Sequence, residues 1–398
     1  MDGLPSCALL CLTEAVGSSS CSLLDIDCVC QDVQLVAQVQ ACGLQNCTIK
    51  ENLNAVRFLY DTCDYPVVVD NKVFPGIVIA GIILSSIAVT LRITGRLIGS
   101  RLGLDDAVIV LSLATTLSIS IIGLVFTHLG LGRDIWFLPF HDITKILHLY
   151  YFEEMLYIAS IALTKVSMLL LFLRLFPDEN FRRATYIVLA FTICWGLGIF
   201  FANVFSCQPI SYFWHMWDGE HEGKCISHAH LLWSHAIINI LLDVVIIGLP
   251  LSTLVKLKLT LGKKVGICSM FAVGLVVTVI SILRLVSSLD FDMLDNPTKN
   301  FVSIGIWSLV EVYLSIISVC MPGIRAFFNY TYRRFFSKNF SYGSSSRSRG
   351  PEGSNMNGNA NRSSTVPTPR EVTSGTFQSA NREQGEFIRL QEIESFKT

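Results

Sequence analysis

Between residues 75 and 323 the chain runs through seven apolar stretches, roughly 75–98, 105–127, 150–175, 184–205, 229–254, 265–289 and 300–323. Each is close to the ~20 residues a helix needs to cross the hydrocarbon core of a bilayer. No water reaches that core, so a spanning segment must satisfy its own backbone hydrogen bonds, as a helix does. Composition agrees: 52% of the 398 residues are hydrophobic and 15% are charged, against about 25% charged in an ordinary soluble domain. These stretches predict an all-α fold, a bundle of seven transmembrane helices. Asp105-Asp106 and Glu153-Glu154 read as polar flanks of the second and third stretches.

Three regions follow: a Cys-rich segment over 1–72, the apolar body over 73–324, and a segment over 325–398 rich in Ser, Asn, Gly and Arg. The last has few large apolar residues and is expected to be a disordered cytoplasmic tail. Lys and Arg set the orientation. Arg96 and Arg101, then Arg174, Arg182 and Arg183, then Lys256, Lys258, Lys263 and Lys264, then Arg325, Arg333, Arg334 and Lys338 all fall on one side of seven spans. The opposite loops hold Arg133, Lys145, Lys224 and the acidic Asp290, Asp292 and Asp295. The expected arrangement is a multi-pass plasma-membrane protein in contact with membrane lipids, its N-terminus extracellular and its C-terminus cytoplasmic. Nothing points to nucleic acid. Met1-Asp2-Gly3 lacks the basic start of a signal peptide. Either the first apolar helix drives export, or the natural start lies upstream.

Eight of the 13 cysteines lie before residue 64. An outward-facing segment this small needs covalent staples, and disulfides persist in such a compartment. A zinc site is disfavoured, because residues 1–74 hold no His and Cys28-x-Cys30 is the only close pair. The residues alone leave the pairing open. The run Pro5-x-Cys7-Ala8-x2-Cys11-x9-Cys21-x6-Cys28-x-Cys30-x11-Cys42-x4-Cys47-x15-Cys63 resembles the fungal CFEM domain over its whole length. The resemblance implies the bridges Cys7–Cys47, Cys11–Cys42, Cys21–Cys28 and Cys30–Cys63. It also implies a haem site with Asp25, three residues before Cys28, as the axial ligand to the iron. Leu9, Leu23, Leu24 and Ile26 would cover the porphyrin, with Asp27 close by.

The membrane body resembles the fungal rhodopsin-like seven-helix proteins often fused to CFEM domains. The matching pieces are Leu102-Gly103-Leu104-Asp105-Asp106, Gly130-Leu131-Gly132-Arg133, Lys165-Val166-Ser167 and Arg174-Leu175-Phe176. They continue through Cys207-Gln208-Pro209, Tyr212-Phe213-Trp214, Asn239, Asp243, Pro250, Trp307, Glu311 and Cys320-Met321-Pro322. Asp134 stands where this family has His. Fused members look like G-protein-coupled receptors, which implies a receptor for an unknown extracellular or surface cue with a heterotrimeric G protein as partner. Two alternatives remain: a haem- or iron-handling surface protein, and a transporter or metabolite-cluster membrane protein.

Lys165, Asp243 and Glu311 fall near mid-membrane, where a charge costs about 2.5–3.5 kcal/mol on insertion scales. Lys165 is expected to pair with Asp243 or Glu311 in an intramembrane polar network. Arg284 is expected to snorkel at the outer end of the sixth stretch. Asp105 and Asp106 are expected to form a cytoplasmic ionic cluster with Arg174. A Cys207–Cys225 bridge should close the loop that also holds Trp214, His215, Trp217, His221 and Glu222; His215 and His221 are a loosely spaced metal pair. Ser341, Ser344, Ser345, Ser346 and Ser348 beside Arg347 and Arg349 suggest a phosphorylated tail segment. The sequons at Asn329, Asn339 and Asn361 lie on the cytoplasmic side, and Cys47 in the sequon at Asn46 is expected to be bridged. No Gly-rich phosphate loop, His-Glu-x-x-His or Gly-x-Ser-x-Gly is present, so an enzyme is not expected.

Overall fold

A computed structural model describes residues 4–22, 25–65, 72–99, 101–254, 261–289 and 297–340. Four short helices form the N-terminal domain: α1 (Ser6–Gly17), α2 (Ile26–Gln31), α3 (Val33–Asn46) and α4 (Ile49–Thr62). Their core is small, built on Ala15, Val16, Val29 and Leu35. The bonds Cys7–Cys47, Cys11–Cys42, Cys21–Cys28 and Cys30–Cys63 close it. Asp32 caps α3 through the Gln34 and Leu35 amides. Thr48 and Glu51 form a reciprocal capping box on α4. The Thr48 backbone N–H, then its hydroxyl, hold the Glu51 carboxyl below its ordinary range. Its contribution is therefore present above that range and is lost as the pH falls through the lowered value.

Seven of the described helices are long and apolar enough to cross a membrane. They belong to α5 (Phe74–Gly99), α6 (Leu104–Leu129), α7 (Phe140–Leu175), α8 (Glu179–Val204), α10 (His228–Leu254), α11 (Leu261–Leu289) and α12 (Pro297–Phe340). Two differ clearly from the expected bounds. The third span starts at Phe140, because Ile143, Ile146 and Leu147 already pack inward while His141 is exposed. That stretch is amphipathic rather than uniformly apolar, so a hydropathy reading passes over it. The seventh helix runs on through Pro322 to Phe340. The serines from 341 onward, the acidic residues 290–295, Lys256 and Lys258 lie outside the described residues.

α5 and α12 meet through small residues, as close-packed membrane helices do. A Cβ at Gly81 would lie 2.0 Å from the Tyr313 ring, and one at Gly95 would lie 2.8 Å from the Gly323 carbonyl. α6 ends on Gly130, whose φ of +98° lets the chain turn at no steric cost. The loop it opens is tied to α12, with Thr298 donating to the Arg133 carbonyl at 2.8 Å. Between α8 and α10, the Cys207–Cys225 bond closes a loop holding the short α9 (Tyr212–His215).

The N-terminal domain rests on these two loops through α4. Tyr60 packs on Trp136 and Phe137 at centroid distances of 5.1 and 5.7 Å, and Lys50 pairs with Glu220 at 2.7 Å. Burial, then the charge of Asp134, push the Tyr60 phenol up. The aromatic seat should outweigh the exposed ion pair. Tyr60→Ala is expected to weaken docking by about 1–2 kcal/mol and Lys50→Ala by under about 1 kcal/mol. Hydrogen exchange at residues 135–137 reads both; equal protection in Tyr60→Ala and the parent would refute the ranking.

Candidate functional site

Glu311 of α12 is fully buried, and four donors converge on it. Arg284 Nε of α11 and the Tyr157 hydroxyl of α7 each reach Oε2 at 2.8 Å. Asn239 Nδ2 of α10 and the Ser281 hydroxyl of α11 reach Oε1 at 2.7 and 2.6 Å. One carboxylate thus ties four helices together. A buried charge in a bilayer persists where its partners saturate it, and this one is saturated. The Arg284 guanidinium also lies over the Tyr157 ring, 5.2 Å from its centroid.

Lys165 of α7 pairs with Asp243 of α10 and donates to the Asn239 carbonyl at 3.3 Å. The Ser281 hydroxyl lies 3.5 Å from Asp243 and 2.6 Å from Glu311, so it joins the two ion pairs. Of the alternatives for Lys165, the structure gives Asp243. Glu311 is taken by Arg284, which is buried rather than snorkelling at the rim. The reason is geometric: Arg284 is one turn past Ser281 on α11, on the same inward face. Lys165→Met is expected to lower the yield of folded protein by stranding Asp243, and the double change with Asp243→Asn to recover part of it. Detergent-solubilised monomer yield measures this; parent-level yield from Lys165→Met would mean the lysine needs no partner.

Above this network, toward the N-terminal domain, lies a cavity of about 60 Å³. Its wall is mostly apolar and aromatic, including Phe74, Tyr150, Phe301 and Leu309, and it carries Glu153, Glu154, Tyr157 and Arg284. Glu153 and Glu154, expected as a polar flank, are therefore internal. Early helix entry at Phe140 puts them several turns into α7. Glu154 faces His228 Nε2 at 3.7 Å. Arg284 Nη2 has no hydrogen-bond partner among the described residues.

A second ionic centre sits at the opposite end of the bundle. Asp105 and Asp106, 3% and 2% exposed, open α6. Arg174 reaches them at 3.3 and 3.7 Å. The stronger partner is Arg92 of α5, also buried, with Nη2 at 2.6 Å from Asp105 and Nε at 3.0 Å from Asp106. Its Nη1 donates to the Val319 carbonyl of α12 at 2.6 Å. Arg96 lies 3.6 Å from Asp105. Gly103 explains the Leu-Gly-Leu-Asp-Asp run: its amide donates to Asp106 at 3.0 Å, and a Cβ there would meet Asp105 at 2.5 Å.

Arg92, Tyr157 and Ser281 did not emerge from the sequence, and Arg96 was read only as a marker of orientation. The available signal was charge balance. Arg92 and Arg284 are cations inside apolar stretches, each needing an acid at the same depth.

Asp25 caps α2, accepting from the Cys28 amide at 3.1 Å, on an exposed edge of the N-terminal domain. Ile26 and Leu9 are exposed, 50% and 38%; Leu23 and Leu24 lie outside the described residues. A solvent-facing carboxylate with exposed apolar neighbours is compatible with ferric iron in a haem. Within the domain, a separate apolar cavity of about 140 Å³ is lined by Ile26, Val29, Val39, Phe58 and Leu59 among others.

Comparison with known proteins places these sites in context. The fungal rhodopsin domain matches residues 91–330, and the CFEM domain matches residues 1–64. A SAT4 family membrane protein of Emericella nidulans is 30% identical over 202 residues, 50% of this chain and 49% of that protein. Satratoxin biosynthesis SC1 cluster protein 4 of Stachybotrys chartarum is 29% identical over 41% of this chain and 58% of its own length. Receptor GIN3 of Arthrobotrys oligospora is 27% identical over 41% of this chain and 39% of its own length. The chain spans about half the length of the curated relatives it matches. No solved structure matches it.

Proposed function

Since the chain belongs to the fungal rhodopsin domain family and carries a CFEM domain ahead of the bundle, we propose that it is a receptor that reads an extracellular or surface cue and signals to a heterotrimeric G protein. The observation that carries this reading is the sharing of residues between cavity and network. Arg284 and Tyr157 line the cavity and are also two of the four donors to Glu311. A cue that engages either side chain competes for the bonds that tie α7, α10, α11 and α12. Binding on one side of the membrane thereby changes helix packing toward the other, the differential interaction that a switch requires. Likeness to Receptor GIN3 supports the same reading.

In this reading the N-terminal domain is outside the plasma membrane and the Arg92–Asp105–Asp106–Arg174 centre faces the cytoplasm. Pro177→Cys, between α7 and α8, should then react with an impermeant thiol reagent only after permeabilisation. Labelling in intact cells would reverse the orientation.

The test of function is guanine-nucleotide exchange on a fungal Gα subunit in membranes holding the full chain, challenged with surface-derived and lipid extracts. Glu311→Gln should change basal exchange severalfold at matched expression. Exchange no different from empty membranes, with the parent and with Glu311→Gln, would remove the receptor reading. Substrate movement in vesicles would then favour a transporter, and the likeness to a satratoxin biosynthesis cluster protein supports the alternative of a metabolite-cluster membrane protein. Haem handling at Asp25 is tested by ferric-haem titration of the full chain: a Soret shift lost in Asp25→Ala and kept in Asp27→Ala supports it.

A further inference from the structure

The loop closed by Cys207–Cys225 brings His215, Asp218 and His221 together, with one ligand atom from each within 4.8 Å of the others. The two imidazoles stack at 4.3 Å between centroids, tilted by 27°. His221 Nδ1 is 3.0 Å from Asp218 Oδ2. From these positions we propose that His215, Asp218 and His221 bind a zinc ion.

The chemistry and the spacing agree. Two imidazoles and a carboxylate are the donor set of a three-ligand zinc site with an open fourth position. Zinc bonds of about 2.0–2.1 Å put two tetrahedral ligands about 3.3 Å apart, close to the 3.0 Å between His221 and Asp218. The metal takes the place of that contact, with His221 in the tautomer that carries its proton on Nε2. The remaining gap to His215, whose ligand atom lies within 4.8 Å of the other two, closes by rotation of the His215 side chain. Asp218 is the fixed member. It is buried, and Oδ1 accepts from the Glu220 amide at 3.0 Å.

The site's place in the fold gives it a consequence. Glu220, one residue before His221, pairs with Lys50 of α4, and Lys50 lies 6.0 Å above the Trp217 ring. Zinc on residues 215–221 stiffens the surface on which the N-terminal domain rests. Calcium and magnesium compete poorly, because they prefer all-oxygen sites. Among the described residues, the free cysteines Cys194 and Cys320 lie within the spanning helices α8 and α12, away from this loop.

The experiment uses the full chain in detergent, stripped with a chelator and titrated with zinc by calorimetry. One zinc per chain is expected. His215→Ala and His221→Ala should each weaken binding by more than tenfold, and Asp218→Asn by about 10–100-fold. His230→Ala, an exposed histidine outside the cluster, should bind as the parent does. Zinc should also slow hydrogen exchange at residues 218–224 in the parent and leave it unchanged in His221→Ala. Because the His221 side chain is half exposed, its removal spares the loop, and Trp217 fluorescence checks this. Absence of zinc binding at micromolar zinc, or undiminished stoichiometry and affinity in the His215→Ala/His221→Ala double variant, overturns the proposal.

Discussion

Arg284→Met is expected to destabilise the protein by about 3–5 kcal/mol, the cost of leaving one charge of a buried pair without its partner. Glu311 would keep its Tyr157, Asn239 and Ser281 hydrogen bonds, but no cation would balance it within bonding distance. The nearest alternative, Lys165, is committed to Asp243. The double variant Arg284→Met/Glu311→Gln is expected to recover most of the loss. A neutral amide oxygen still accepts from Asn239 and Ser281, and no charge remains to be solvated. Thermal unfolding in detergent, read alongside monomer yield, measures the difference. A parent-like midpoint for Arg284→Met would show that water enters the cavity and solvates Glu311, and the buried network would cease to be a constraint on the helices.

Arg92 should be nearly as sensitive, and for a reason of shape as well as charge. Its guanidinium makes three bonds in three directions, to Asp105, Asp106 and the Val319 carbonyl. A lysine ammonium is a point charge on a flexible stem and cannot reproduce that fork. Arg92→Lys is therefore expected to lose at least half of what Arg92→Met loses, and the full loss should again be about 3–5 kcal/mol. Arg174→Ala makes the contrast. Its side chain is 30% exposed, and Arg92 and Arg96 remain beside both aspartates, so its stability cost should be small. If Arg174→Ala nonetheless changes basal nucleotide exchange, the cluster is a switch as well as a staple. The ranking fails if Arg174→Ala unfolds the protein more readily than Arg92→Lys.

What was legible beforehand divides along physical lines. Hydropathy depends on local composition, so the seven spans could be read directly. It was blind to residues 140–149, where an amphipathic stretch continues a helix past the hydrocarbon. Intramembrane charges were legible one at a time, because each is costly, and Lys165, Asp243 and Glu311 stood out for that reason. Their pairing was harder, since it depends on rotation of each helix about its axis. A three-residue step on α11 from Ser281 to Arg284 decides that Glu311 belongs to Arg284. Asp105, Asp106 and Arg174 were read as an interfacial group; the structure buries both acids and adds Arg92, a residue that looked unremarkable at the end of an apolar run. Proximity of His215, Asp218 and His221 depended on a loop whose path α9 and a disulfide determine together.

The length of α12 has a mechanical consequence. At about 1.5 Å per residue its 44 residues extend roughly 66 Å, about twice the hydrocarbon thickness. Glu311 is clamped by three neighbouring helices, and Phe340 lies 29 residues farther on, about 44 Å away. Arg92 and Gly95 of α5 hold the helix again at Val319 and Gly323, so the arm that extends farther runs from Gly323 to Phe340, 17 residues or about 26 Å. A tilt of ~5° at Gly323 sweeps the far end through about 2 Å. Small tilts inside the bundle are in this way magnified at the far end of the helix.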